Sequence, residues 1–160
     1  FTVYGPWGRP DMALFKFTES ILKNKPIEVF NHGNHIRDFT YIDDIVDGII
    51  GGSITKLADL KNWNDMKPDP SKSIYPYRIY NLGNSNPVSL MDYINCLEEC
   101  LKIKAKIKYL PLQKGDVEKT ISDIDSAAKD IKFFPKTNVK KGISNFVEWY
   151  YEYFEVKNER

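Results

Sequence analysis

The sequence opens on Phe1-Thr2-Val3-Tyr4, a run of aromatic and β-branched residues that feeds directly into Gly5-Pro6-Trp7-Gly8-Arg9-Pro10. Residues of the first kind suit a pleated strand, and a Gly/Pro cluster ends one abruptly. The run therefore reads as the last part of a strand already under way. This raises the expectation that the chain is the later part of a longer protein.

Short helical and strand-like patterns alternate from there on. Asp11 reads as the N-cap of a helix carrying Met12, Phe15, Ile21 and Leu22, with Lys23-Asn24-Lys25 suited to the negative end of its dipole. Pro26 stops it, and Ile27-Glu28-Val29-Phe30 reads as a strand. Asn31-His32-Gly33-Asn34 is a turn, residues 37–42 alternate like a second strand, and Asp43-Asp44 begin a helix that Gly51-Gly52 would end. Residues 53–73 dissolve into Lys, Asp, Asn and Pro. That is long for a structureless connection, so a mobile loop or insertion is expected there.

Residues 77–81 read as a strand. Ser89 with Asp92 three positions on gives a helix start before Ile94, Leu97 and Leu101. Residues 101–108 alternate apolar with lysine, as an edge strand protected from aggregation would. A strand over 120–124, a helix over 126–131 and a last helix capped by Thr137 complete the series. In that last helix, Ile143, Phe146, Val147, Tyr150 and Phe154 form one stripe. The expectation is a single mixed α+β (α/β) unit over residues 1–160.

Composition narrows the function. With 23 Lys+Arg against 22 Asp+Glu, the formal net charge is +1, which argues against a nucleic-acid binder relying on a basic face. No apolar run approaches the roughly 20 residues of a membrane helix, and residues 1–10 do not resemble a signal peptide. Two cysteines make no disulfide framework. Cys96 and Cys100, four apart on one helical face, read as small core residues, and His32 and His35 as parts of a polar turn. No metal site is expected, and a cytoplasmic location is.

The residues that suit a ligand suit an anion. Arg9 and the backbone N–H groups near Met12 and Ala13 stand where a turn enters a helix, a favoured place for phosphate. Arg37 offers a planar fork matched to phosphate or carboxylate. Phe30, ending a strand, can stack on a planar base.

The runs Phe1-Thr2-Val3-Tyr4-Gly5-Pro6-Trp7-Gly8-Arg9-Pro10-Asp11-Met12-Ala13 and Arg37-Asp38-Phe39-Thr40-Tyr41-Ile42-Asp43-Asp44 resemble the second half of the NAD-dependent epimerase/dehydratase family. Tyr80-Asn81-Leu82-Gly83-Asn84 and Gly115-Asp116-Val117 are similar to two further stations in the same order. Within the family, the first run most resembles the UDP-glucuronate 4-epimerases of capsule and cell-surface polysaccharide synthesis. The resemblance implies the C-terminal, substrate-binding part of an extended short-chain dehydrogenase. In such enzymes a Rossmann domain holds NAD, which takes a hydride from sugar C4 and returns it to the other face of the ring. A tyrosine in a Tyr-x-x-x-Lys pair moves the hydroxyl proton.

Carried over residue by residue, the resemblance sets Phe1 and Val3 beside the nicotinamide end of NAD. Thr2 and Arg9 meet the sugar, with the Arg9 guanidinium opposite a uronate carboxylate. The helix start at Asp11 and Met12 approaches the diphosphate. Glu28, through its backbone, and Phe30 border the uracil. Arg37 clamps the diphosphate, and Asp116 reaches the ribose hydroxyls with Gln113 nearby. Related epimerases carry arginine near Gln113, so the implied clamp has one cation fewer.

The sequence holds no Gly-x-x-Gly-x-x-Gly after a strand and no Tyr-x-x-x-Lys with its serine or threonine partner. The N-terminal Rossmann part is thus expected to be absent and the chain inactive alone. Its expected partners are a UDP-sugar (UDP-glucuronate or UDP-galacturonate), the missing N-terminal half and further copies of itself, because Phe1, Val3 and Tyr4 would otherwise be wet.

Overall fold

The computed structural model describes residues 1–56 and 63–156. Strand β1 (Thr2–Tyr4) runs through a turn into helix α1 (Ala13–Leu22), followed by β2 (Ile27–Val29) and a tight 3-10 turn over Phe30–Gly33. Strands β3 (Ile36–Arg37) and β4 (Phe39–Tyr41) lead into α2 (Ile42–Ile54). After an irregular stretch come β5 (Val88–Ser89), α3 (Leu90–Leu101), β6 (Ile107–Tyr109), α4 (Asp125–Ile131) and α5 (Val139–Tyr153). The expected mixture of short strands and helices is the one observed.

Three two-stranded pairings organise the chain. β1 lies parallel to β4 with Thr2 opposite Phe39, β2 parallel to β6 with Ile27 opposite Ile107, and β3 antiparallel to β5 with Ile36 opposite Ser89. Helices α3 and α5 pack on one another and close the main core, in which Ile94, Leu97, Val29 and Ile143 have no exposed surface. Tyr93 stacks on Phe39 with ring centroids 3.9 Å apart, and Tyr4 meets both edge-on. Gly142 lets α5 come this close. A Cβ there would lie 2.2 Å from the Tyr4 hydroxyl. A smaller cluster of Ala127, Ile131 and Phe133 packs with Tyr80, Leu82 and Ile124.

Two expected caps move by one residue or fail. α3 starts as expected, with Ser89 Oγ accepting the Asp92 N–H at 3.0 Å. The last helix is capped instead by Asn138, whose Oδ1 accepts the Lys141 N–H at 2.9 Å, while the Thr137 N–H donates to buried Asp44 at 3.0 Å. Asp11 caps nothing: the residue before α1 is Met12, and the Asp11 carboxylate is held by Arg9.

Several expected strands are shorter or missing. The run 37–42 is broken at Asp38, and α2 runs through Gly51-Gly52, which face Ile131, to Ile54. Residues 77–81 and 120–124 form no strand; their neighbourhoods contribute only the single bridges Lys72–Arg78 and Ile36–Lys119. In 101–108 the helix ends at Leu101, Lys102 turns left-handed (φ 57), and only Ile107–Tyr109 pairs as a strand. Of the expected loop 53–73, residues 53 and 54 are helical, 57–62 lie outside the described residues, and 63–73 carry no helix or strand.

Tyr4, expected to be wet, is buried in the core. Phe1 and Val3 remain open, 48% and 37% exposed. Cys96 and Cys100 are free and pack partly buried against the main core. Burial raises both thiols above their ordinary pKa, which makes them less reactive.

Candidate functional site

A cavity of about 570 Å³ opens among the first turn of α1, β2 with the Phe30 turn, β3 and the loop carrying Asp116. Of the residues expected at a site, Thr2, Asp11, Met12, Glu28, Phe30, Arg37 and Asp116 line it. A second hollow of about 350 Å³ is bordered by Phe1, Thr2, Val3, Arg9 and Met12. Thr2 and Met12 border both, so the two hollows adjoin. Residues as far apart in sequence as Thr2 and Asp116 are thus gathered at one place.

Arg37 is the best-held side chain of the cavity. Its Nη1 donates to the carbonyls of Ile36 (3.2 Å) and Glu118 (3.0 Å), and its Nη2 donates to Asp116 Oδ1 at 3.0 Å. The side chain is 15% exposed. Two backbone carbonyls fix one nitrogen of the fork, so the other is aimed rather than free to wander. Preorganised donors of this sort bind anions without first losing rotamer entropy.

The geometry behind Arg37 is built on Asp38, which has no exposed surface. Its carboxylate accepts the N–H groups of Asn84 (3.2 Å), Ser85 (3.1 Å) and Ser122 (2.8 Å), and also the Ser122 hydroxyl. This draws the loop 81–85 and the segment 119–122 against β3 and β4. Gly83 is required there, since a Cβ would lie 2.3 Å from Ser122 Oγ. The segment in turn supplies Glu118 O to Arg37, so the buried aspartate positions the arginine.

Arg9 takes a different state. Its Nε and Nη2 donate to the two Asp11 oxygens at 3.0 and 2.5 Å, with both side chains exposed, 74% and 57%. The Arg9 hydrogen bond holds the Asp11 carboxyl below the usual carboxylate range. An exposed pair of this kind is weak, so a ligand carboxylate can compete for the guanidinium. At the helix start, the Met12 N–H is taken by the Arg9 carbonyl at 3.1 Å, leaving Ala13 as the first amide available to an anion. Gln113, expected near Asp116, borders neither hollow. Its carbonyl accepts the Asp116 N–H at 3.1 Å, closing the turn through Gly115 (φ 83) that presents Asp116.

Lys16 and His35 line the wall without having been expected at a site. Lys16, on the first turn of α1, makes no ion pair within 4 Å among the described residues, though its charge also acts on Asp11. The acids of the wall are matched: Glu19 with Lys23 (2.5 Å), Glu28 with Lys108 (2.9 Å), Asp11 with Arg9 and Asp116 with Arg37. His35, read from sequence as part of a polar turn, is buried on the cavity wall. Nothing in its own residue type could signal that; only the pairing of β3 with β5 turns it inward.

The residues near the smaller hollow fit a nicotinamide only in part. Phe1 and Val3 provide an apolar wall for a ring face, and no phosphate-binding loop stands beside them among the described residues. Tyr153 and Lys157 do stand four apart in sequence, but Tyr153 packs on Trp7 and Trp149 and lines neither hollow, and Lys157 lies outside the described residues. Among the described residues no helix is long and apolar enough to cross a membrane, and no group of three or more His, Cys, Asp or Glu is placed to hold a metal ion.

Comparison with known proteins shows what the chain is similar to. Residues 1–51 match the NAD dependent epimerase/dehydratase family. Protein CapI of Staphylococcus aureus is 48% identical over 155 residues, covering 97% of this chain and 46% of that protein. UDP-glucuronate 4-epimerase 2 of Arabidopsis thaliana is 45% identical over 159 residues, covering 97% and 36%. The crystal structure of UDP-glucuronic acid 4-epimerase from Bacillus cereus with UDP-glucuronic acid and NAD superposes with a TM-score of 0.79 at 28% identity, over 96% of this chain and 44% of that one. The chain is thus similar to NAD-dependent epimerase/dehydratase proteins along nearly its whole length. Its fold is that of the C-terminal part of an extended short-chain dehydrogenase, and it spans about half the length of CapI.

Proposed function

We propose that this chain is the nucleotide-sugar-binding portion of a UDP-uronate 4-epimerase of surface polysaccharide synthesis, working in the cytoplasm and inactive alone. The observation that carries the reading is the cavity around Arg37, whose fork is fixed by two backbone carbonyls and directed along the same wall as Phe30 and the first turn of α1.

In this reading Phe30 and the Glu28 backbone border the uracil, Asp116 takes the ribose hydroxyls, and Arg37 takes the diphosphate. Lys16 and the Ala13 amide add positive potential at the same end. Thr2 stands between the two hollows, where a sugar would lie, and Arg9 exchanges Asp11 for the uronate carboxylate. NAD supplies the hydride acceptor, held by the remainder of the enzyme with Phe1 and Val3 as one wall. This chain's task is to grip the nucleotide while the sugar ring turns, which calls for binding energy at the UDP end. The relatives named as UDP-glucuronate 4-epimerases support this substrate class over other nucleotide-sugar decarboxylases and dehydratases of the family.

Titration calorimetry of UDP and UDP-glucuronate against the chain tests this. UDP is expected to bind one to one, Arg37→Ala to lose at least about tenfold in affinity, the worth of a hydrogen bond to a charged group, and Lys104→Ala to bind as before. Equal affinity in Arg37→Ala would overturn the assignment. The purified chain with added NAD is expected to show no epimerisation of UDP-glucuronate, and turnover would refute the claim that it is inactive alone.

A further inference from the structure

His35 is 4% exposed on the cavity wall, and its Nε2 has no hydrogen-bond partner among the described residues. The nearest acceptor is Asp116 Oδ2, 3.2 Å away but off the line of a hydrogen bond. The ring cannot withdraw easily. The His35 carbonyl accepts the Leu90 N–H at 2.8 Å, next to the pairing of Ile36 with Ser89. A buried nitrogen left unsatisfied is unfavourable, because water no longer pairs with it. With the proton on Nε2, the free site holds a donor whose acceptor is close but misaligned.

The Asp116 carboxylate is shared between two neighbours, with Oδ1 on Arg37 and Oδ2 beside His35. Arg37 has its Nη1 committed to carbonyls, so Nη2 is the nitrogen that a diphosphate and Asp116 would both want. When the diphosphate takes it, Asp116 is left one-third exposed without its cation. We propose that His35 is a positioning residue for the nucleotide: its Nε2–H closes onto Asp116 as Arg37 is taken, and holds that carboxylate toward the ribose. This rests on the UDP reading of the cavity.

The exchange predicts that His35 matters only to ligands that engage Arg37. UDP binding is measured by calorimetry, and uridine binding by ligand-observed NMR, for wild type, His35→Gln and His35→Leu, with thermal melting to confirm folding. Gln retains an N–H donor, and Leu retains bulk without one. His35→Leu is expected to weaken UDP about tenfold and uridine less than twofold, because uridine leaves the Arg37–Asp116 pair intact. His35→Gln should stay within about threefold of wild type for UDP. If His35→Leu does not fold, His35→Met makes the same comparison. Unchanged UDP affinity in His35→Leu, or an equal loss in His35→Gln, overturns the role of His35 and leaves the UDP site standing. Absence of UDP binding in the wild type overturns the site itself, and this role with it.

Discussion

Asp38 is a carboxylate with no exposed surface, and four donors converge on it. Removing it strands three amides and a hydroxyl in a dry place, each costly to leave unpaired. Asp38→Ala is expected to lower stability by about 3 kcal/mol or more in urea denaturation, and a loss below about 1 kcal/mol would contradict this account. The buried phenols make a second prediction. Burial raises the pKa of Tyr4 and of Tyr93 well above the ordinary phenol value. The folded chain keeps these protons after the unfolded chain has lost them, so stability is full below about pH 10 and falls above it. The slope approaches about 1.4 kcal/mol per pH unit for each phenol, read from unfolding curves at rising pH with phenolate absorbance as the monitor. At this scale the sequence was only partly legible. Arg37 and Phe30 could be singled out by chemical type and place, whereas His35, Lys16 and the hub role of Asp38 depend on which residues far along the chain come beside them.

Helices could be read better than strands, and the reason is local. Ser89 and Asp92 announce α3 through a bond that closes within one turn, and the stripe of α5 follows the helical period. Ser89→Ala is expected to cost about 1 kcal/mol of stability, and Asn138→Ala a similar amount, both measured by thermal melting. No loss in either would mean that tertiary packing alone holds the helix starts. Strand patterns misled where alternation had no partner to pair with. The residues 101–108 alternate throughout, yet β2 offers only three residues, and β6 is accordingly limited to Ile107–Tyr109. The Asp11 cap failed for a similar reason, as a neighbouring guanidinium outcompeted the helix amides for its carboxylate.

The whole molecule presents apolar surface that its own core does not use. Phe1 just before β1, Val3 on it, and Val46, Ile49 and Ile50 at helical spacing on α2, are all more than one-third exposed, and α2 touches β1. In the proposed enzyme this surface meets the remaining half; in the chain alone it favours self-association. Light scattering at micromolar concentration is expected to find an oligomer, and Ile49→Glu with Ile50→Glu to shift it toward monomer. A monomeric wild type would remove that proposal. The mixed α+β architecture followed from short patterns and resemblance, but the exposure of this outer surface is a property of no single segment. Whether the cavity holds UDP is decided by a crystal structure of the chain grown with UDP. A phosphate oxygen is expected within hydrogen-bond distance of Arg37 Nη2, with the uracil beside Phe30 and Asp116 turned from Arg37 to the ribose. UDP found elsewhere, with the Arg37–Asp116 pair still closed, would contradict this reading.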